Sequence, residues 1–256
     1  MIFQMDRPIN TPFVDTGERI IPTKENEVSV VFSRHLFAYR YASQYVVDKV
    51  VLDIGCGTGY GCHLLAGQAK HVTGIDYNIS AIEYCKTNYQ DSNIEFIHAD
   101  ASNLSSMNLF DVAVSFQVIE HIADVDNFII QIKKRVTPGG IILISTPNSK
   151  TGTAEVSDNV FHVNEMNYTE FDTLMKKHFR KYEIYGIAYS SKNRLREFFL
   201  KSPLYHIGKL LRRGSKIKKL ETHMTGMTEF IVIEDNVHEK GIDLLAVCTN
   251  YHLHYT

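Results

Sequence analysis

Asp53 is followed by glycines at every second position, Gly55, Gly57 and Gly59, with Cys56 and Thr58 between them. The apolar run Val50-Val51-Leu52 feeds this stretch, so a buried strand empties into a bend that side chains barely cover. Such a bend lets a nucleotide-like ligand approach main-chain N–H groups at the start of a helix. The dinucleotide pattern Gly-x-Gly-x-x-Gly does not fit, because its third glycine falls on Tyr60 from Gly55 and on Cys62 from Gly57. A pyrophosphate beside the Asp53 carboxylate would be repelled, whereas a zwitterion carrying an ammonium would be attracted.

Two further acids stand at strand ends. Asp76 follows the glycine bend by roughly the twenty residues expected of a ribose-binding acid in a strand–helix–strand unit, and one carboxylate can accept both ribose hydroxyls. The competing role is a helix N-cap, which Asn78 or Ser80 could also fill. Asp100, after the apolar run 94–98, carries the same two readings.

In order along the chain, Val51-Leu52-Asp53-Ile54-Gly55-Cys56-Gly57-Thr58-Gly59, Gly74-Ile75-Asp76, Phe96-Ile97-His98-Ala99-Asp100-Ala101, residues 110–122 and residues 137–148 resemble the successive motifs of the class I S-adenosylmethionine-dependent methyltransferases. The resemblance implies S-adenosyl-L-methionine as cofactor, with Asp53, Gly55, Cys56, Gly57, Asp76, Tyr77, Asp100, Ala101 and Gln117 in contact with it. Arg34 or Arg40, on a helix-like segment 28–45, has the guanidinium for the ligand's carboxylate, against the alternative of a solvated helix face. The opening of the chain resembles that of methyltransferases of cell-surface glycan and sugar metabolism. The acceptor implied is a hydroxyl of a sugar, a nucleotide-linked sugar or a lipid-linked glycan intermediate, with phenol or quinone-type O-methylation as the alternative. A methyltransferase fold kept as a non-catalytic binding module is the reading from another class.

Methylation of a hydroxyl asks for a base to take its proton, and histidine is suited to this near neutral pH. His121, in Gln117-Val118-Ile119-Glu120-His121, is one candidate. His162 is the other, in the polar loop 158–165 with Glu165 to orient it. Each has a structural alternative, a helix-starting and a loop-anchoring histidine respectively. Thr146-Pro147-Asn148-Ser149 stands where amino-group methylating members carry Asn/Asp-Pro-Pro-Tyr, which argues against bases or glutamine as acceptors. Neither a cluster of acids for Mg²⁺ nor a His/Cys spacing for zinc is visible, so no metal is expected, although ligands from distant strands could still assemble.

These residues need a scaffold. Apolar strands 50–54, 71–75, 94–98, 112–116 and 141–145 alternate with helix-period segments 80–89 and 124–135, a pattern that demands right-handed crossovers and a parallel sheet. A helix near 169–178, a strand 181–189 and a last apolar run 244–248 follow. The expected fold is an α/β, Rossmann-like, doubly wound sheet of seven mostly parallel strands with an antiparallel last strand. The expected divisions are an N-terminal helical cap 1–48, a core 49–189, a basic helical insertion 190–228, and 229–256 completing the sheet.

The chain has 256 residues, 44% of them hydrophobic, enough for a sizeable core. Its four cysteines form no C-x-x-C pair, Met1 to Pro12 does not read as a secretory segment, and the expected location is cytoplasmic. The formal net charge is −2, yet residues 192–219 hold ten cations and one acid, interleaved with Leu195, Phe198, Phe199, Tyr205 and Leu210. Three roles suit this segment: a lid over a phosphorylated or nucleotide-linked acceptor, peripheral contact with the anionic inner membrane surface, or a solvated face or dimer contact. The acidic remainder argues against nucleic acid, and nothing in the sequence sets the oligomeric state.

Overall fold

The computed structural model describes residues 30–149, 161–190 and 230–251. The N-terminal residues 1–29, the loop 150–160, the basic segment 191–229 and the tail 252–256 lie outside it, and with them the expected insertion.

Eight strands form one sheet. In chain order the elements are α1 (Val30–Ala42, continued by a 3-10 turn Ser43–Tyr45), β1 (Val50–Ile54), α2 (Tyr60–Ala66), β2 (His71–Asp76), α3 (Ile79–Asn88), β3 (Ile94–His98) and β4 (Phe110–Phe116). A 3-10 turn Ile119–His121 precedes α4 (Val125–Arg135), β5 (Val136–Pro147), α5 (Tyr168–His178), β6 (Lys181–Tyr189), β7 (Phe230–Ile233), α6 (Val237–Lys240) and β8 (Asp243–Thr249). The spatial order is β3-β2-β1-β4-β5-β8-β6-β7. β1 to β5 pair in parallel, and β8 runs antiparallel between β5 and β6. β6 is therefore parallel to β5, and its end lies on the same edge as the glycine bend.

The α/β, doubly wound, mostly parallel expectation holds, with one strand more than the seven expected. The additional strand is β7, four residues at the sheet edge that pair antiparallel with β6, Tyr189 opposite Phe230. Their rings stack with centroids 5.4 Å apart. A run so short carries too little alternation to mark a strand.

Period-two alternation explains both the buried runs and the placement of Asp53. In β1, Leu52 and Ile54 enter the core cluster containing Phe128, Ile132 and Phe171, on the side of α4 and α5. Val51 enters the opposite cluster, with Leu36, Tyr39 and Leu65 of α1 and α2. Asp53 shares the parity of Val51 and so points toward α1 and α2. Helix α1 meets it with Phe32, Leu36 and Tyr39, an i, i+4, i+7 stripe that is buried throughout.

Candidate active site

The carboxyl ends of β1, β2 and β4, with α1 above them, enclose a cavity of about 560 Å³. That volume lies within the range of small-molecule sites. Gly55, Cys56, Gly57, Asp76, Tyr77, Asp100, Ala101, Gln117 and His121 all line it, so most of the residues nominated from the sequence meet in one place.

The glycine bend works differently from the expectation. Its N–H groups do not face the cavity as a set: those of Gly55 and Cys56 donate to the Ile75 carbonyl at 2.8 and 2.9 Å, and that of Gly57 donates to Asp76 Oδ2 at 3.0 Å. What the bend offers is close backbone approach. At Gly57, with φ +55°, a Cβ would meet nothing within 4 Å, because it would project into open space. Cys56 packs as a small side chain: with Cys62 it closes on Gly74, where a Cβ would lie 3.1 and 2.6 Å from the two sulfurs.

Asp53 is corrected more strongly. Its carboxylate is fully buried, accepts from Tyr39 Oη at 3.2 and 3.1 Å and from Cys62 Sγ at 3.1 Å, and does not line the cavity. Burial pushes its carboxyl up to about 8, reinforced by the Cys56 thiol and opposed by the bonds from Cys62 and Tyr39. Asp53 thus anchors Tyr39, which does face the cavity and packs edge-on against Tyr60 and Phe116 with centroids 5.7 and 5.0 Å away. Such contacts contribute about 0.5–1.5 kcal/mol each beyond area burial.

At the end of β2 the two readings of Asp76 separate. Asn78 is the cap of α3, accepting from the N–H groups of Ser80 and Ala81. Asp76 instead accepts from Gly57 N–H and Asn78 N–H and presents the rest of its carboxylate to the cavity. Tyr77 stands 71% exposed at the rim. Asp100 is exposed and accepts from Ser102 N–H at 2.8 Å. Gln117 adopts φ +56° and donates from Nε2 to Ser145 Oγ at 3.1 Å.

Arg40 lies exposed in the last turn of α1 and is not among the lining residues. Arg34 is buried and pairs through Nε with Asp243 Oδ2 at 3.1 Å. Neither guanidinium is placed toward the cavity by these contacts. α1 contributes His35 and Tyr39 instead, which the sequence reading left out and which their i, i+4 spacing could have flagged. Burial, aided by Arg34, lowers His35 to about 3, so it is a neutral imidazole.

The two candidate bases come together. The Glu120 carbonyl accepts from Val163 N–H at 2.9 Å and Asn164 N–H at 3.0 Å, and Asn164 Nδ2 donates to the Ile122 carbonyl. These bonds dock segment 161–165 onto the turn after β4. The His121 and His162 rings meet edge to face, centroids 4.9 Å apart. His121 Nδ1 bonds the Phe161 carbonyl at 3.1 Å, and His162 Nδ1 bonds Glu165 Oε1 at 3.1 Å. His121 and Phe161 line the cavity, whereas His162 and Glu165 are not among its lining residues. Glu120 is buried beneath, accepting from Thr146 Oγ1 at 3.4 Å, and burial raises its carboxyl to about 8. One donor atom each from Glu120, His121 and His162 falls within 4.8 Å of the others, a cluster not foreseen when no metal was expected.

With this geometry in view, comparisons with known proteins become informative. A "Probable S-adenosylmethionine-dependent methyltransferase" of Mycolicibacterium smegmatis is 34% identical over 164 residues, 63% of this chain and 63% of its own length. A ubiquinone biosynthesis O-methyltransferase of Rickettsia akari is 33% identical over 119 residues, 41% of this chain and 47% of its own length. The chain thus spans less than two thirds of these relatives. The N-methyltransferase NodS of Bradyrhizobium japonicum, solved with S-adenosyl-L-homocysteine, shares the fold with a TM-score of 0.54 at 17% identity, over 90% of this chain and 97% of its own. A family model described as a methyltransferase domain matches residues 46–201, more than half of the chain, and the protein belongs to that family.

Proposed function

We propose that the protein binds S-adenosyl-L-methionine in the cavity beside Gly57 and transfers its methyl group to a hydroxyl of a small acceptor. The observation that carries this reading is the juxtaposition of a backbone cradle open at Gly57, the Asp76 carboxylate and the His121 side chain around one cavity. The residues present fit the ligand: Gly57 leaves room for its amino-acid tail, Asp76 has acceptor capacity for ribose hydroxyls, and Asp100 with Ala101 lines the end suited to adenine. When bound, the sulfonium supplies an activated methyl. The chain's own residues hold the two reactants in line and exclude water, and the His121–His162 pair promotes loss of the hydroxyl proton to the surrounding water.

The acceptor we favour is a sugar, a nucleotide-linked sugar or a glycan-linked intermediate. Segment 191–229 leaves the sheet after β6 and returns at β7, on the edge that carries the cavity. The ten cations of residues 192–219, which lie outside the described residues, suit an acceptor that carries a phosphate. The rickettsial relatives support a second reading, a phenolic or quinol hydroxyl. No helix among the described residues is long and apolar enough to cross a membrane.

Calorimetry with S-adenosyl-L-homocysteine tests the cofactor site, and labelled S-adenosyl-L-methionine with nucleotide sugars, glycolipid precursors and phenols tests the acceptor. Cofactor binding with transfer to none of these would favour a non-catalytic module. Absence of binding by folded protein would remove the reading altogether.

A further inference from the structure

We infer that Glu120, His121 and His162 form a binding site for one divalent cation of the first transition row. Their donor atoms already lie within 4.8 Å of one another. An ion about 2.0–2.2 Å from nitrogen and oxygen ligands sets those donors about 3.3 Å apart, so uptake asks each side chain to close by little more than an ångström.

Two independent features fit such an ion. Both imidazoles are oriented through Nδ1, His121 by the Phe161 carbonyl and His162 by the Glu165 carboxylate. Outer partners of this kind are what metal-binding histidines carry, because an Nδ1–H tautomer puts the ring's lone pair on Nε2. The docking of residues 161–165 by the Glu120 carbonyl and Asn164 then holds the third donor against two that are consecutive in the chain.

Two nitrogens and one carboxylate oxygen favour borderline ions such as Fe²⁺, Co²⁺ or Zn²⁺ over Mg²⁺ or Ca²⁺. His121 lines the cavity, so the ion would stand where the acceptor arrives. Its role there rests on the methyl-transfer reading: a hydroxyl bound to it releases its proton to water at lower pH, while the two imidazoles serve as ligands. Binding of the ion itself does not depend on that reading.

The test is titration of metal-free full-length protein with Co²⁺, read by visible absorption and calorimetry. One ion per chain is expected, undisturbed by about a hundredfold excess of Mg²⁺. His162→Ala and Glu120→Gln should each weaken uptake at least about tenfold, and Glu165→Gln, which touches only the outer partner, by about tenfold. His178→Ala, whose imidazole bonds Asp126 instead, should bind Co²⁺ as the parent does. Circular dichroism establishes that each variant is folded. No Co²⁺ uptake by protein that binds S-adenosyl-L-homocysteine overturns the inference alone. Stoichiometric uptake unchanged in both Glu120→Gln and His162→Ala overturns it equally. Co²⁺ uptake without S-adenosyl-L-homocysteine binding would leave the cation site standing and remove the methyl-transfer reading.

Discussion

The two ends of the cavity are built by opposite strategies. The cofactor end is local: β1, its glycine bend, β2 and the start of α3 are continuous in the chain, and Asp76 reaches back 19 positions to bond Gly57. The proposed acceptor end is assembled from afar, His121 meeting His162 because a loop 40 positions later docks on the turn after β4. A contiguous strand–bend–strand unit suits a ligand common to a whole family. Long-range assembly leaves the acceptor end free to vary without disturbing that unit.

This contrast predicts that the two ends fail separately. The largest effect is expected at the acceptor end: His162→Ala should lower kcat by about 10²- to 10⁴-fold, the usual worth of a proton-handling group, while affinity for S-adenosyl-L-homocysteine stays within about twofold. Asn164→Ala should do the same in milder form, since it loosens the docked loop. A parallel loss of cofactor affinity would show the two ends to be one unit. At the cofactor end, Gly57→Leu places a side chain in the open cradle at a strained φ of +55° and should weaken S-adenosyl-L-homocysteine binding about a hundredfold or more. Unaltered binding in that variant would move the ligand elsewhere.

Asp76→Ala should cost about 1–3 kcal/mol of cofactor affinity, the range for removing a partner of buried polar groups, with the acceptor KM unchanged. A smaller signal comes from the buried acids. Asp53 and Glu120 hold their protons up to about 8 in the folded state, whereas carboxyls of the unfolded chain titrate near about 4. The stability they confer is therefore complete below about pH 4 and declines as pH rises toward 8. With EDTA present, the melting temperature should fall as pH rises from about 5 to 8, and Glu120→Gln should remove part of the slope. Equal slopes in parent and variant would separate Glu120 from this effect. Last, Arg40→Ala should leave cofactor affinity within about twofold, because an exposed guanidinium outside the cavity contributes little.

The same contrast governs how much was legible beforehand. The parallel core and its glycine bend could be read because strand alternation and glycine spacing are local signals. The destination of the bend's N–H groups could not, since the Ile75 carbonyl that takes two of them belongs to another strand. Asp53, expected at the ligand, shares the parity of Val51, which aims it at α1. The histidines were nominated one by one, yet only tertiary docking sets them together over Glu120. β7 escaped because four residues at an edge leave no periodic signature.

The hairpin register of β6 and β7 has one more consequence. Because Tyr189 and Phe230 are direct partners with stacked rings, the end of β6 and the start of β7 are held side by side. For the sheet, a change in the number of residues between these two positions costs the entropy of closing a chain segment, which grows slowly with its length. The sheet is thereby closed on itself at this edge, and the residues that join the two strands can differ without altering its register.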